Sequence, residues 1–256
     1  MNSRPKGGSH LVHTDHLNGT DWQFHYDDAC FPPGTDSFLL SSLPRLKSGI
    51  QVLDLGAGYG LLGLLLLRRC PDLIVTGLEL NAHAVELGKR NAEENQLSQH
   101  LLFRQGDLRE HASIPAGHFD LVVCNPPYFP SGHGASAPDV ARRGAREEVS
   151  CTLEDVCMAA ARALRWSGSF CLVHKPDRLT DLLCAMRTAK LEPKRLRFIQ
   201  KSAFSAPSLL LAESRLGGRP GLTIEPPLIL QNPDGTPTTE LDTIYFRTIP
   251  STEEPI

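Results

Sequence analysis

The stretch FDLVVCNPPYF, residues 119–129, decides how the chain is read. Leu121 to Cys124 is an apolar run of strand length, and it stops abruptly at Asn125-Pro126-Pro127-Tyr128. Proline lacks the N–H that a sheet ladder needs, so the strand ends there and the chain turns stiffly. Pro126 also holds Asn125 in extended geometry. The expected product is an amide oxygen, a proline carbonyl and an aromatic face at the carboxyl end of a central strand. In open α/β sheets that edge is where ligands sit.

Those groups suit alkylation of a planar nitrogen, such as an exocyclic amine or a carboxamide. Its lone pair is delocalised, so it is a poor nucleophile. Two acceptors on its N–H groups, Asn125 Oδ1 and the Pro126 carbonyl, favour the pyramidal, cationic transition state over the planar ground state. A flat acceptor would stack on Tyr128.

Upstream, Ile50 to Leu55 reads as the first core strand and runs into Gly56-Ala57-Gly58-Tyr59-Gly60. Leu61 to Arg69 is an apolar helix, Ile74 to Leu80 a second strand, and a helix ending near Asn95 follows. Leu101 to Arg104 is a third strand, closing in Gly106-Asp107, and the strand before Asn125 is the fourth. Strands alternating with helices predict a parallel sheet with right-handed crossovers.

Gly58 to Gly63 matches the GxGxxG pattern, with Glu79 about 20 residues further on. Two cofactors fit it, a nicotinamide dinucleotide and S-adenosylmethionine, and Glu79 would accept ribose hydroxyls from either. Asp54, just ahead of the glycines, is a poor neighbour for pyrophosphate and a good one for a cationic amino group. Asp107 is expected to receive the adenine amine. Together with the turn on strand four, these choose S-adenosylmethionine and methyl transfer over hydride transfer. No metal is called for.

Composition sets bounds. The 256 residues carry 41% hydrophobic and 21% charged side chains and a formal net charge of −3. One large domain, or one domain with additions, is expected, and any nucleic-acid contact must come from a local basic patch. Seven cysteines without a CxxC pair are the usage of a reduced, cytoplasmic protein. Leu61 to Leu67, the longest apolar block, is too short to span a bilayer.

Residues 1–20 are polar, with His10, His13 and His16 at intervals of three, and read as a mobile tail rather than a metal site. Trp22, Phe24 and Tyr26 alternate with polar residues as in a short strand or hairpin arm. Asp36 or Ser37 is placed to cap a short helix running to about Leu46; capping alone would account for Thr35 and Asp36.

With those residues on the page, the chain resembles the class I S-adenosylmethionine-dependent methyltransferases that carry an NPPY motif. Within them it is most similar to the bacterial tRNA1(Val) adenine-37 N6-methyltransferases. The resemblance rests on Gly34 to Leu40, Leu53 to Leu62, Glu79-Leu80, Phe119 to Leu121, Asn125 to Phe129, Thr152 to Asp155 and Gly217 to Pro227. It covers about residues 30–247. It implies an α/β, Rossmann-like fold: a seven-stranded, mostly parallel sheet with helices on both faces. Residues 21–48 would form a cap over the cofactor, 49–248 the catalytic domain and 249–256 a tail. Thr35 and Asp36 would close over the methionine end of S-adenosylmethionine, Asp54, Gly56 and Gly58 would line its pocket, Glu79 would bind ribose and Asp107 adenine. Asn125, Pro126, Pro127 and Tyr128 would hold the target base, in RNA and most closely tRNA. One departure is Ala145-Arg146-Glu147-Glu148, where many relatives have Ala-Arg-His-Glu.

In the second half, Ser131 to Ala141 reads as a loop beside the site. Arg142, Arg143 and Arg146 are expected on phosphate, against a competing reading as partners of Glu147 and Glu148. Thr152 caps a helix to about Arg165, ended by Trp166-Ser167-Gly168. Ser169 to His174, Arg195 to Ile199 and Leu209 to Ala212 are strands five to seven, with a helix from Asp177 to Lys190. Arg187, Lys190, Lys194, Arg195, Arg197 and Lys201 oppose only Glu192 in their window and form a candidate RNA-backbone patch. The alternatives are guanine N2 in ribosomal RNA, a protein glutamine, or an RNA-binding protein that retains the fold without turnover. With only about 50 residues ahead of the glycine loop, no helical recognition domain is expected there, which counts against glutamine.

Overall fold

The computed structural model describes residues 11–27, 33–126 and 151–247. A two-stranded antiparallel hairpin, β1 (Val12–His16) and β2 (Gln23–Asp27), precedes helix α1 (Thr35–Ser42). Then come β3 (Gln51–Leu55), α2 (Leu61–Arg69), β4 (Ile74–Glu79), α3 (Ala82–Glu94), β5 (Leu101–Gln105) and β6 (Phe119–Cys124). The second half runs α4 (Leu153–Ala163), β7 (Leu164–His174), α5 (Leu179–Thr188), β8 (Leu191–Gln200) and β9 (Pro207–Leu216). Two short strands, β10 (Thr223–Ile224) and β11 (Leu228–Ile229), and helix α6 (Thr239–Ile244) complete it.

The main sheet is ordered β10-β8-β9-β7-β6-β3-β4-β5, with β11 also on β8. All neighbours are parallel except β9, which opposes both β7 and β8. The seven long strands are those expected; β10 and β11 are two-residue additions at the β8 edge. Near-continuous apolar strands such as LVVC and FCLV suit a sheet covered on both faces. One face, with Val52, Val75, Leu121 and Val123, packs under α1 and α2; the other, with Leu53, Val122, Phe170 and Leu172, packs under α4 and α5. Every residue of α2 from Leu61 to Leu67 is buried, because α1 covers the side that the sheet does not.

Local signals account for the helix starts. Asn81 accepts the His83 amide at 2.9 Å at the head of α3, and Thr152 with Asp155 forms a reciprocal capping box on α4. Each such cap stabilises its helix by about 1 kcal/mol.

Three expectations change. Within residues 1–20, Val12–His16 is a strand paired to Gln23–Asp27 rather than a mobile tail, because alternation around Phe24 supplies an edge to pair with. His13 stacks on Tyr26 at 5.3 Å, while His10 lies outside the described residues. Helix α1 is capped by Gly34 and ends at Ser42, so Asp36 and Ser37 sit in its first turn and neither is the cap. Trp166-Ser167-Gly168 falls inside β7, where Ser167 takes a φ of +66° and the β6 register shifts. The loop expected at Ser131 to Ala141 and the final tail lie outside the described residues.

Candidate active site

The chain passes from β3 outward to β4 and β5, then crosses back to β6 on the other side of β3. That reversal opens a crevice at the carboxyl ends of β3 and β6, the position where doubly wound sheets bind ligands. Leu55 pairs with Cys124, so Gly56 and Asn125 leave the sheet side by side, and Cys124 Sγ donates to the Leu55 carbonyl at 3.2 Å. Alternation along the strands fixes the faces. Asp54 shares a face with Val52, Glu79 with Val75, and Asn125 with Val123, all toward α1 and α2.

The glycine turn is held from β4. The Gly56 and Ala57 amides donate to the Leu78 carbonyl at 2.9 and 3.1 Å, and Gly58 donates to Glu79 Oε2 at 2.9 Å. Glu79 Oε1 accepts the Asn81 amide at 2.8 Å. The carboxylate therefore ties the turn to the start of α3 and keeps lone pairs for further donors. A Cβ on Gly56 or Gly58 would meet nothing within 4 Å, so the space over the turn is open. Gly60 differs: its φ is +90°, and a Cβ there would lie 2.5 Å from the Phe103 ring.

Asp54 is buried, and its Oδ2 has no hydrogen-bond partner among the described residues. Burial, and then repulsion from Glu79, push its carboxyl up to about 8. An orphaned buried carboxylate oxygen beside an open glycine turn is incomplete without a donor or a cation. Glu79 offers acceptors to vicinal hydroxyls. This donor set fits an amino-acid nucleoside carrying a cationic amine, and it fits S-adenosylmethionine. Asp107 stands at the end of β5, where Arg109 Nε and Nη2 grip its carboxylate and hold it below the usual range. Meeting an adenine amine requires that exposed pair to part, a small cost for a surface contact.

Helix α1 reaches Asn125 at the end of β6. Asn125 Nδ2 donates to Ser37 Oγ at 3.1 Å, which leaves Oδ1 at the other corner of the amide. Thr35 and Asp36 precede Ser37 in the same helical turn. Sequence reasoning weighed Ser37 only as a helix cap; the contact spans 88 residues, and no local signal announces it. It also missed Asn91, which is fully buried on α3. Its amide accepts from the His25 backbone at 2.7 Å and donates to the His25 and Tyr59 carbonyls at 3.0 and 2.9 Å, joining hairpin, helix and glycine turn. Phe24 stacks on Tyr59 at 6.0 Å within the same join. Pro126 is buried, while Pro127, Tyr128, Arg142, Arg143 and Arg146 lie outside the described residues.

The basic patch is largely neutralised. Arg195 is mostly buried between Glu213 at 2.5 Å and Glu225 at 2.7 Å and also donates to the Leu43 carbonyl at 3.2 Å. Arg197 forms a two-pronged pair with Glu240 at 2.6 and 2.9 Å, and Lys194 donates to the Arg219 carbonyl at 2.8 Å. Arg187 faces Glu192 at 3.5 Å. The carboxylates of Glu213, Glu225 and Glu240 come from beyond the window, so a local charge count misses them. These contacts tie Arg195 and Arg197 into the fold. Among the described residues no group of three His, Cys, Asp or Glu is arranged to hold a metal, and no helix is long and apolar enough to cross a membrane.

Fold and site together define a class I methyltransferase. Residues 31–183 match the model of the methyltransferase small domain family, and the chain belongs to that family. It is an S-adenosylmethionine-dependent methyltransferase. The tRNA1(Val) (adenine(37)-N6)-methyltransferase of Porphyromonas gingivalis is 33% identical over 71% of this chain and 73% of its own length. The protein of the same description from Tolumonas auensis is 30% identical over 88% and 95%. A crystal structure of a predicted O-methyltransferase, Atu636 from Agrobacterium tumefaciens, superposes with a TM-score of 0.68 at 21% identity, covering 83% of this chain and 96% of that one. At that identity it speaks for the fold alone.

Proposed function

We propose that this enzyme methylates N6 of an adenine in structured RNA, most closely adenine 37 in the anticodon loop of a valine tRNA. The observation that carries this reading is the Asn125 amide at the open end of β6, its nitrogen held by Ser37 and its oxygen left for an acceptor. The names of relatives near 30% identity support the same substrate.

S-adenosylmethionine supplies an electrophilic methyl on a sulfonium and leaves as a neutral thioether. Asp54 would hold its amine and Glu79 its ribose hydroxyls. Asn125 Oδ1 and the Pro126 carbonyl each accept one N–H of the target amine, drawing it out of conjugation as the methyl arrives. Ser37 holds the amide at the edge where the target amine would sit. Tyr128 is assigned the stacking face. The extra proton on the methylated nitrogen passes to water, because an aryl ammonium is a strong acid. The base must leave its loop stack to reach this edge, which costs less in a loop than in a duplex. A tRNA substrate and reduced cysteines both point to the cytoplasm as the place of action.

The test is transfer of a radiolabelled methyl group to total tRNA, ribosomal RNA and protein, followed by nucleoside mass spectrometry. N6-methyladenosine in tRNA is the expected product. Label only in N2-methylguanosine or in protein overturns the assignment, and no label in any acceptor overturns turnover itself.

A further inference from the structure

The two large aromatic side chains exposed among the described residues sit at opposite edges of the sheet. Trp166 is near the start of β7, at the amino-terminal edge, and its ring packs over Gly217, where a Cβ would lie 2.2 Å away. Phe204 is fully exposed in the turn between β8 and β9. Because β9 is antiparallel to both β7 and β8, strand β8 runs in the direction of β6. The β8–β9 turn therefore lies at the same carboxyl edge as Asn125. In the sheet order β6-β7-β9-β8 the two strands are three spacings apart, about 14 Å, and β8 runs on from Leu196, which is level with Cys124, to Gln200, about 13 Å further along the strand.

This turn is rigidly built. Ser205 N donates to the Ser202 carbonyl at 3.1 Å, Ser202 N donates to Ser205 Oγ at 2.9 Å, and Ser205 Oγ donates back to the Ser202 carbonyl at 2.9 Å. Strand β11 and the residues after it brace the base, with Leu230 N on the Gln200 carbonyl and Gln231 N on the Lys201 carbonyl, both at 2.9 Å. A latched turn thus holds a phenyl ring in water, where nothing in the fold needs it. Lys201, the first residue of the turn, is exposed, and its ammonium has no hydrogen bond or ion pair among the described residues. It is the one member of the expected basic patch that lies at the active edge unpaired. A rigid aromatic face beside an uncommitted cation suits an unpaired base with its phosphate better than an apolar protein surface.

We infer that Phe204 is a stacking platform for an unpaired base of the RNA substrate, placed to hold the RNA several nucleotides away from the adenine that is turned in to Asn125. The inference rests on the RNA reading above. It adds a contact to a part of the chain remote in sequence from the catalytic turn.

The experiment is steady-state methylation of a transcribed tRNA by the full chain carrying Phe204→Ala, Phe204→Leu or Phe204→Trp, with cofactor affinity measured in parallel. Phe204→Ala and Phe204→Leu are expected to raise KM for tRNA about tenfold or more, the size of one lost stacking contact. Turnover at saturating tRNA and cofactor affinity stay within twofold, and Phe204→Trp keeps the wild-type KM. An unchanged KM for Phe204→Ala overturns the inference. So does full activity of Phe204→Leu, which would mean a generic apolar contact, or failure of Phe204→Trp to bind as wild type. If the unsubstituted enzyme methylates no RNA, the proposed substrate fails first, and that result is distinct because it precedes any comparison of variants.

Discussion

Asn125 and Ser37, 88 residues apart, meet at 3.1 Å through the amide nitrogen of one and the hydroxyl oxygen of the other. The bond ties the end of the central strand β6 to the first turn of α1, so the element expected to close over the cofactor also holds the group proposed to grip the acceptor.

Asn125→Ala removes an acceptor aimed at charge that develops during transfer. Turnover is expected to fall about a hundredfold or more, the usual size for such a contact. Calorimetry should show nearly unchanged S-adenosylmethionine affinity; equal loss of both quantities rejects the role.

Ser37→Ala leaves the amide in place but free to turn. With one hydrogen bond lost, kcat should drop about two- to tenfold with little change in cofactor affinity. Ser37→Thr, which restores the hydroxyl, should recover most of it. A deficit shared by both variants would point to helix α1 rather than to the hydroxyl.

Asp54 makes stability depend on pH. Its folded-state carboxyl titrates near 8 and its unfolded one near 3.8, so the folded state holds the proton longer. Its contribution is fully present below about pH 4 and is lost as pH rises through about 8. Asp54→Asn, which needs no proton, should therefore gain in melting temperature over wild type across that window, and the difference should level off above it. The same variant should bind S-adenosylmethionine more weakly. A melting difference that is constant from pH 4 to pH 9 contradicts the burial account.

Arg195→Ala separates bracing from RNA contact. It strips the counter-charge from Glu213, which is 8% exposed, and breaking such a pair costs about 3 kcal/mol or more, roughly 10 °C in a chain of this size. The salt dependence of tRNA binding should not move, whereas loss of a phosphate contact lowers the slope by about one.

Gly60→Ala combines a φ of +90° with a Cβ 2.5 Å from Phe103. Together these should destabilise by about 2–4 kcal/mol. Adding Phe103→Leu should recover the packing part and leave the backbone part, read as a double-mutant cycle in chemical denaturation.

The alternation of strand and helix, the glycine turn and the proline-locked strand end were legible because each is a local signal. Apolar runs of fixed length place β3, α2, β4 and β6 within a residue or so, and two prolines after Asn125 stop a strand whatever the rest of the chain does. From those alone come the parallel sheet and the roles open to Asp54, Glu79 and Asn125. The partners of those groups depended on the tertiary structure. Ser37 reaches Asn125 only because α1 lies over the β6 face, and Glu79 spans the Gly58 and Asn81 amides only because β3 and β4 pair in one register. The basic window around Arg195 read as a surface for RNA, and the carboxylates that pair with it, from β9, the segment after β10 and α6, lie outside that window. Residue type and spacing report what a side chain is capable of; which charge or hydroxyl faces it across dozens of residues follows from how the layers pack, a property that no local stretch contains.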